Sequence, residues 1–281
     1  MTVLAPAEQV DAVIETPNPL AGLVKDSLAI AWRNLRALPR VPQYLVFSTI
    51  QPVIFVLMFV YVFGGAIKLP AKIPYVDFLI PGIFVQTVVF GSVGTAIGLA
   101  TDMQSGLMER FRSLPMARSA LLTGRTLADG VRNLFVAILM SIVGFAVGFR
   151  FHTNWLEFIS GMLLVVAFGY SLSWVFASLG LLVGDPESAQ AAVFPIMAPL
   201  VFASSAFVPP SSMPAWLRVF AEHQPVSVTA SAIRGLFVGP HYAHLLQRSS
   251  TSSYVLQSIA WSVGIIVIFG PLAVRRYRKA I

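Results

Sequence analysis

Cysteine is missing from the sequence, which excludes a disulfide framework and any thiolate metal site. Charge is scarce as well: 11% of the 281 residues are Asp, Glu, Lys or Arg, against 57% hydrophobic ones, and the mean hydropathy is +0.79. A soluble domain of this length has too little interior to hide so much apolar side chain. Lys25, Lys68, Lys72 and Lys279 all stand outside a Gly-Lys-Ser/Thr context, so the chain lacks a phosphate-cradling loop and an ATPase site of its own. His241 and His244 share i, i+3 spacing without a carboxylate nearby and read as solvated surface side chains, so no metal is expected. An intramembrane hydrolase or lipid transferase would need a carboxylate pair, a Ser–His arrangement or a metal trio, and no such cluster is found.

What the chain does have is apolar length. Charge-free runs lie between Arg40 and Lys68 (27 residues), Asp77 and Asp102 (24), Arg132 and Arg150 (17), Glu157 and Asp185 (27), Glu187 and Arg218 (30), and Arg248 and Arg275 (26). Hydrocarbon about 30 Å thick asks for roughly 20 apolar residues per helix. The third run is short and depends on Arg132 and Arg150 snorkelling to the interfaces. The expectation is an all-α polytopic membrane protein with six transmembrane helices, at about 43–64, 76–100, 127–149, 158–183, 188–208 and 253–274. Six spans put both termini on one side, together with Lys25, Arg33, Arg36, Arg40, Arg110, Arg112, Arg118, Arg125, Arg132, Arg275, Arg276, Arg278 and Lys279. The positive-inside rule makes that side cytoplasmic. The net charge of +7 is therefore orientation, and no nucleic-acid partner is expected.

Residues 1–19 carry Glu8, Asp11, Glu15 and three prolines and read as a disordered cytoplasmic lead, without the basic start of a signal peptide. From 20 to 38, Leu20, Val24, Leu28, Ala31, Leu35 and Leu38 recur every three or four residues, which predicts an amphipathic helix along the cytoplasmic membrane surface. Trp32 is its interfacial anchor, and Arg33 and Arg36 lie on its polar side. Gln51-Pro52 predicts a kink in span one. Gly91, Gly94 and Gly98 in span two form a stripe that would admit another helix closely. Asp185 or Ser188 is expected to cap the helix after the Gly184–Glu187 turn. Between spans five and six, MPAWLRVF and VTASAIRGLF read as two short amphipathic helices, a re-entrant-like hairpin on the outer side. The spans are read as free of acidic residues, which counts against an ion-coupled carrier. Gln51, Gln86, Ser92, Thr95, Ser204 and Ser205 either line a translocation path or bond between helices.

The tract DMQSGLMERFRSLPMARSALLTGR, residues 102–125, concentrates charge between two apolar runs. Thr101 or Asp102 can cap a helix there, Ser105 can cap a later one, and Pro115 ends it. Leu107, Met108, Phe111 and Leu114 form one face, with Glu109, Arg110 and Arg112 elsewhere. Such an element either docks its knobs in a partner's groove or is a plain interfacial loop whose arginines set orientation.

The N-terminal interfacial helix, the six spans, ERFRSLPMARSALLTGR after span two and HQPVSVTASAIRGL before span six together resemble the membrane subunits of ABC-2-type exporters. The likeness is strongest to the daunorubicin-resistance branch and covers residues 20–278. Gln104–Met108 departs from the family's usual residues ahead of Glu109. The resemblance implies one transmembrane domain over 20–281 and a cytoplasmic coupling helix, with Leu107, Met108, Glu109, Arg110, Phe111, Arg112, Leu114 and Pro115 contacting a separate ATP-binding subunit. It implies no catalytic residue and no cofactor on this chain, ATP and Mg²⁺ belonging to that partner. It implies a second permease copy or paralogue, a small amphiphilic drug-like or lipid-like cargo, and a bacterial plasma membrane. The alternatives are an ATPase-independent secondary carrier and a membrane-bound lipid- or glycolipid-modifying enzyme.

Overall fold

The computed structural model describes residues 19–37, 42–67, 69, 73–108, 119–239 and 249–279, and among these there are helices and no strands. In chain order they are α1 (Pro19–Ala37), α2 (Pro42–Leu57), α3 (Tyr75–Gln104), α4 (Ala120–Ala146), α5 (Trp155–Val183), α6 (Pro186–Phe202), α7 (Ala215–His223), α8 (Pro225–Val238) and α9 (Thr251–Lys279). The expected lead at 1–19 and the stretch from Glu109 to Arg118 lie outside the described residues, save Pro19, which opens α1.

Among the described residues four helices are long and apolar enough to cross a membrane: α3, α4, α5 and α9. The first and fifth expected spans are helical but shorter. α2 holds Pro52 and passes into a π-helical stretch, Met58–Phe63, that has no buried residue. α6 carries Pro195 and Pro199 and stops at Phe202. Each proline removes one backbone donor from the helix ladder, and the chain then runs irregularly to the short 3-10 turn at Pro210–Ser212.

α3 and α5 form the centre. Phe84, Phe149, Phe158 and Phe237 pack there with ring centroids 4.7–6.0 Å apart around Phe237. Gly161 admits that ring, since a Cβ on it would lie 2.5 Å from Phe237. Two backbones approach even more closely: a Cβ at Gly180 would strike the Ala96 carbonyl, and one at Gly82 the Ala206 carbonyl. At the periphery, α9 turns Leu256, Ile259, Trp261, Val263, Val267 and Ile268 outward. An apolar surface of that extent suits lipid.

Three expectations change. The third span is not short: α4 has 27 residues and begins at Ala120, because its charges are matched inside the protein rather than excluded from the helix. The second span runs on to Gln104, so Thr101 and Asp102 sit in its last turn instead of capping a new helix. Ser105 is its C-cap, and Gly106 follows at φ +67°. Of the hairpin pair, only α7 is amphipathic and exposed, with Trp216, Val219 and Phe220 outward; α8 is buried nearly throughout, against α3, α5 and α9.

Candidate functional site

A cavity of about 540 Å³ opens between α1, α2, α3 and α4, within the usual size of small-molecule sites. Its apolar wall includes Pro52, Phe90, Val93, Ile97 and Val136; its polar wall includes Asn34, Gln51, Gln86, Arg125, Asp129, Arg132 and Asn133. Asp129, expected to be absent from the span, is buried, and Thr95 donates to it through a short hydrogen bond. Arg132 does not snorkel. It pairs with Asp129 at 3.1 Å, one helical turn away, and donates to the Gly91 carbonyl. Arg125 pairs with Asp102.

The glycine stripe of α3 explains how so many polar groups fit. A Cβ on Gly98 would collide with the Arg125 guanidinium, and one on Gly91 with the Asn133 side chain. These glycines admit polar side chains of α4 rather than another backbone.

The six polar residues singled out from the sequence separate. Gln51 and Gln86 line the cavity. Ser92 is buried and donates to the carbonyls of Val88 (2.7 Å) and Gly169 (3.0 Å), tying α3 to α5. Thr95 serves Asp129. Ser204 and Ser205 lie at the other end of the bundle, in the irregular segment after α6. There Ser204 accepts from the Ala206 N–H (3.0 Å), and the Ser205 N–H donates to Ser227 (2.8 Å).

That segment is held by Arg234, which is 3% exposed. Its Nε donates to the Phe78 carbonyl at 2.8 Å, and Nη2 to those of Ser205 (2.5 Å) and Ala206 (3.1 Å). The guanidinium stacks 3.7 Å from the Phe78 ring centroid. Tyr75 donates to the Phe207 carbonyl (2.9 Å), and Gln224 to those of Leu200 (2.9 Å) and Ala203 (3.1 Å). Irregular backbone inside a membrane protein persists where protein groups satisfy it, and here each of those carbonyls has a donor.

At the α1 end, α1 seats on α4 where Gly124 leaves room: a Cβ there would lie 2.5 Å from the Ser27 carbonyl oxygen and 2.8 Å from Ile30. Ser27, Ile30 and Ala31 are buried, while Val24, Leu28 and Trp32 form an exposed apolar stripe beside them. Arg36 lies 4.8 Å over the Trp32 ring, and Arg33 is half-buried next to Asn34. Leu107 is half-buried and Met108 buried, the latter in one cluster with Ile30, Leu99, Leu121, Leu181 and Tyr277. Met108 therefore anchors the start of the charged tract to the bundle. Glu109, Arg110, Phe111, Arg112, Leu114 and Pro115 lie outside the described residues.

Residues 26–238 match the family described as ABC-2 type transporter, more than half of the chain. The chain belongs to that family. This permease is 34% identical over 261 residues to the daunorubicin resistance ABC transporter permease protein DrrB1 of Streptomyces coeruleorubidus, covering 92% of this chain and 88% of that one. It is 26% identical over 234 residues to the probable doxorubicin resistance ABC transporter permease protein DrrC of Mycobacterium tuberculosis, covering 83% and 81%. It is 24% identical over 269 residues to the putative transport permease ycf38 of Cyanophora paradoxa, covering 91% and 89%. Family and helices together make it a multi-pass membrane transporter permease. The sequence reading missed Asp129, Arg132 and Asn133 as cavity residues and Arg234 as a clamp. The available signal was spacing: Arg125, Asp129, Arg132 and Asn133 fall at intervals that share one helical face.

Proposed function

We propose that the permease is the membrane half of an ATP-driven exporter, moving an amphiphilic drug-like or lipid-like compound out of the cytoplasm or inner leaflet. It sits in a bacterial plasma membrane with both termini cytoplasmic, as the clustering of basic residues at the α1 end supports. Two permeases, identical or paralogous, dock two ATPase subunits that hold ATP and Mg²⁺. The coupling element is Leu107–Pro115, with Glu109, Arg110, Phe111 and Arg112 meeting the ATPase. The outer hairpin closes the far end of the path.

The observation that carries this reading is the shared cluster at the α1 end. Met108, at the root of the charged tract, packs with Ile30 of α1, Leu99 of α3, Leu121 of α4, Leu181 of α5 and Tyr277 of α9. A push on the tract therefore reaches five helices through close-packed side chains, which transmit displacement rather than absorb it. Glu109→Arg combined with Phe111→Ala should abolish co-purification of the ATPase while the permease still inserts; retained binding would remove the coupling-helix assignment.

One finding favours the ion-coupled carrier: Asp129 is a buried ionisable group beside a cavity. Permease alone in liposomes, given an ion gradient and no ATPase, should leave cargo unmoved if the ATP-driven reading holds.

A further inference from the structure

Asp77 lies in the first turn of α3, at the end of the bundle opposite α1, and is 3% exposed. One of its carboxylate oxygens accepts the Arg150 backbone N–H at 3.3 Å, and the other lies 3.1 Å from His152 Nε2. A buried carboxylate is costly unless a positive charge compensates it. The arginines of this end are engaged elsewhere. The Arg150 guanidinium donates to the Phe145 (2.9 Å) and Phe149 (2.7 Å) carbonyls and closes the end of α4, while Arg234 of α8 is held by the Phe78, Ser205 and Ala206 carbonyls. Tyr75 of α3 gives its hydroxyl to Phe207. Glu157, in the first turn of α5, is a second acid at this end, and Lys68 and Lys72 lie outside the described residues. Among the described residues, His152 is the one ionic partner of Asp77.

His152 also stands where three elements meet. Its backbone N–H donates to the Phe237 carbonyl at 2.8 Å, and the Thr153 hydroxyl donates to that of Leu236 at 2.6 Å. Both carbonyls belong to the last turn of α8, so the loop from α4 to α5 is tied to α8 by neutral bonds. Its tie to α3 runs through the Asp77 carboxylate, and there the imidazole supplies the charge. The His152 side chain is 42% exposed, so protons reach it from the medium.

From this arrangement we infer that Asp77 and His152 form a pH-sensitive latch, which fastens the start of α3 to the α4–α5 loop and the end of α8 while His152 carries its proton. Imidazole changes charge between about pH 5 and 8. In mild acid the contact is an ion pair with a charge-assisted hydrogen bond. As pH rises the ring becomes neutral, Asp77 loses its compensating charge, and the tie to α3 slackens while the two bonds to α8 remain. The latch is therefore closed in acid and loose in alkali. In the export reading this end faces outward, so the medium outside would set how firmly the outer end is held; that consequence rests on the export reading, whereas the latch does not.

The test is amide hydrogen exchange of the full-length permease in phosphatidylethanolamine/phosphatidylglycerol nanodiscs without ATPase, so its failure is separable from failure of ATPase co-purification. Exchange is followed at about pH 5.5 and about pH 8, on either side of the imidazole range, and corrected for the intrinsic pH dependence of the chemistry. Protection of the wild-type segments 75–79 and 149–153 should be at least about threefold greater in acid, since local opening sets it. His152→Gln keeps a side-chain N–H donor but does not titrate, and it should give the same protection at both pH values. Asp77→Asn should also remove the dependence. Equal wild-type protection at the two pH values would overturn the latch. So would a pH dependence that survives in His152→Gln, because another group would then be titrating. His152 is half-exposed, so the decision stands on the wild type and His152→Gln even if the buried Asp77→Asn fails to fold.

Discussion

Two buried arginines, one toward each end of the bundle, solve the same problem differently. Arg234, in α8, is held by carbonyl oxygens, a serine hydroxyl and an aromatic face, all inside close-packed protein. Arg132, in α4, has a carboxylate one turn away and stands on the wall of an open cavity. The first arrangement leaves no room for anything else and holds irregular backbone in place. The second keeps charge compensated next to free volume. Burial of a charge therefore marks a structural clamp in one place and the wall of a cavity in the other, and the partners tell which.

The contrast can be broken most directly at Arg234. Arg234→Met orphans the Ser205 and Ala206 carbonyls and takes a second donor from that of Phe78, and bonds to a charged donor contribute about 1.5–3 kcal/mol each. The expected loss is at least about 3 kcal/mol, read as disappearance of the monodisperse detergent-solubilised species. Arg234→Lys should not rescue it, since one ammonium cannot span a planar fork's acceptors. Next comes Gly82→Ala, whose Cβ would collide with the Ala206 carbonyl at the same clamp. Overpacking of this kind costs about 1–3 kcal/mol, and a fall in thermal midpoint checks it. Gly22→Ala, with nothing within 4 Å, should be neutral or slightly stabilising.

Asp129→Asn should be milder, about 1–2 kcal/mol, because Arg132 keeps the Gly91 carbonyl and faces a cavity that water can enter. If it destabilises as much as Arg234→Met, the two arginines are alike and the contrast fails. The smallest loss belongs to Asp185, the N-cap of α6, which accepts from the Ser188 N–H at 2.8 Å. That backbone bond, and then the Ser188 side chain, hold its carboxyl below the usual aspartate range. A lowered folded-state pKa means the contribution is present above the unfolded value and lost as pH falls through the folded one. Asp185→Ala should therefore slightly lower the thermal midpoint at neutral pH, with the difference vanishing in acid.

The class of the molecule was legible because hydropathy alone demands lipid, and the amphipathic period of α1 was legible because 3.6-residue spacing is local information. Boundaries were less so. α4 starts well before the charge-free run that announced it, since charges matched across helices cost little, and matching is invisible in one dimension. The same blindness hid Asp129 and Arg132. The stripe Gly91, Gly94, Gly98 signalled close approach correctly in kind, but whether a backbone or a guanidinium fills a notch depends on the neighbour. α8 read as amphipathic because Arg234 and its serines count as polar, whereas in three dimensions they are fully engaged and the helix is core. Asp185 against Ser188 as cap was decided by backbone conformation, which only coordinates supply.

The notches in α3 have a mechanical consequence. With Arg125 lodged over Gly98, Asn133 over Gly91 and Arg132 bound to the Gly91 carbonyl, α4 is keyed to α3 like a cog in a rack. Twisting α4 about its long axis would drag three polar groups out of their seats at once, so the pair must travel as one piece. Any rearrangement during a work cycle is left to the joints around it, above all the π-wound stretch of α2, which has no fully buried residue and meets the core through the Phe59 ring, 4.5 Å from that of Phe207.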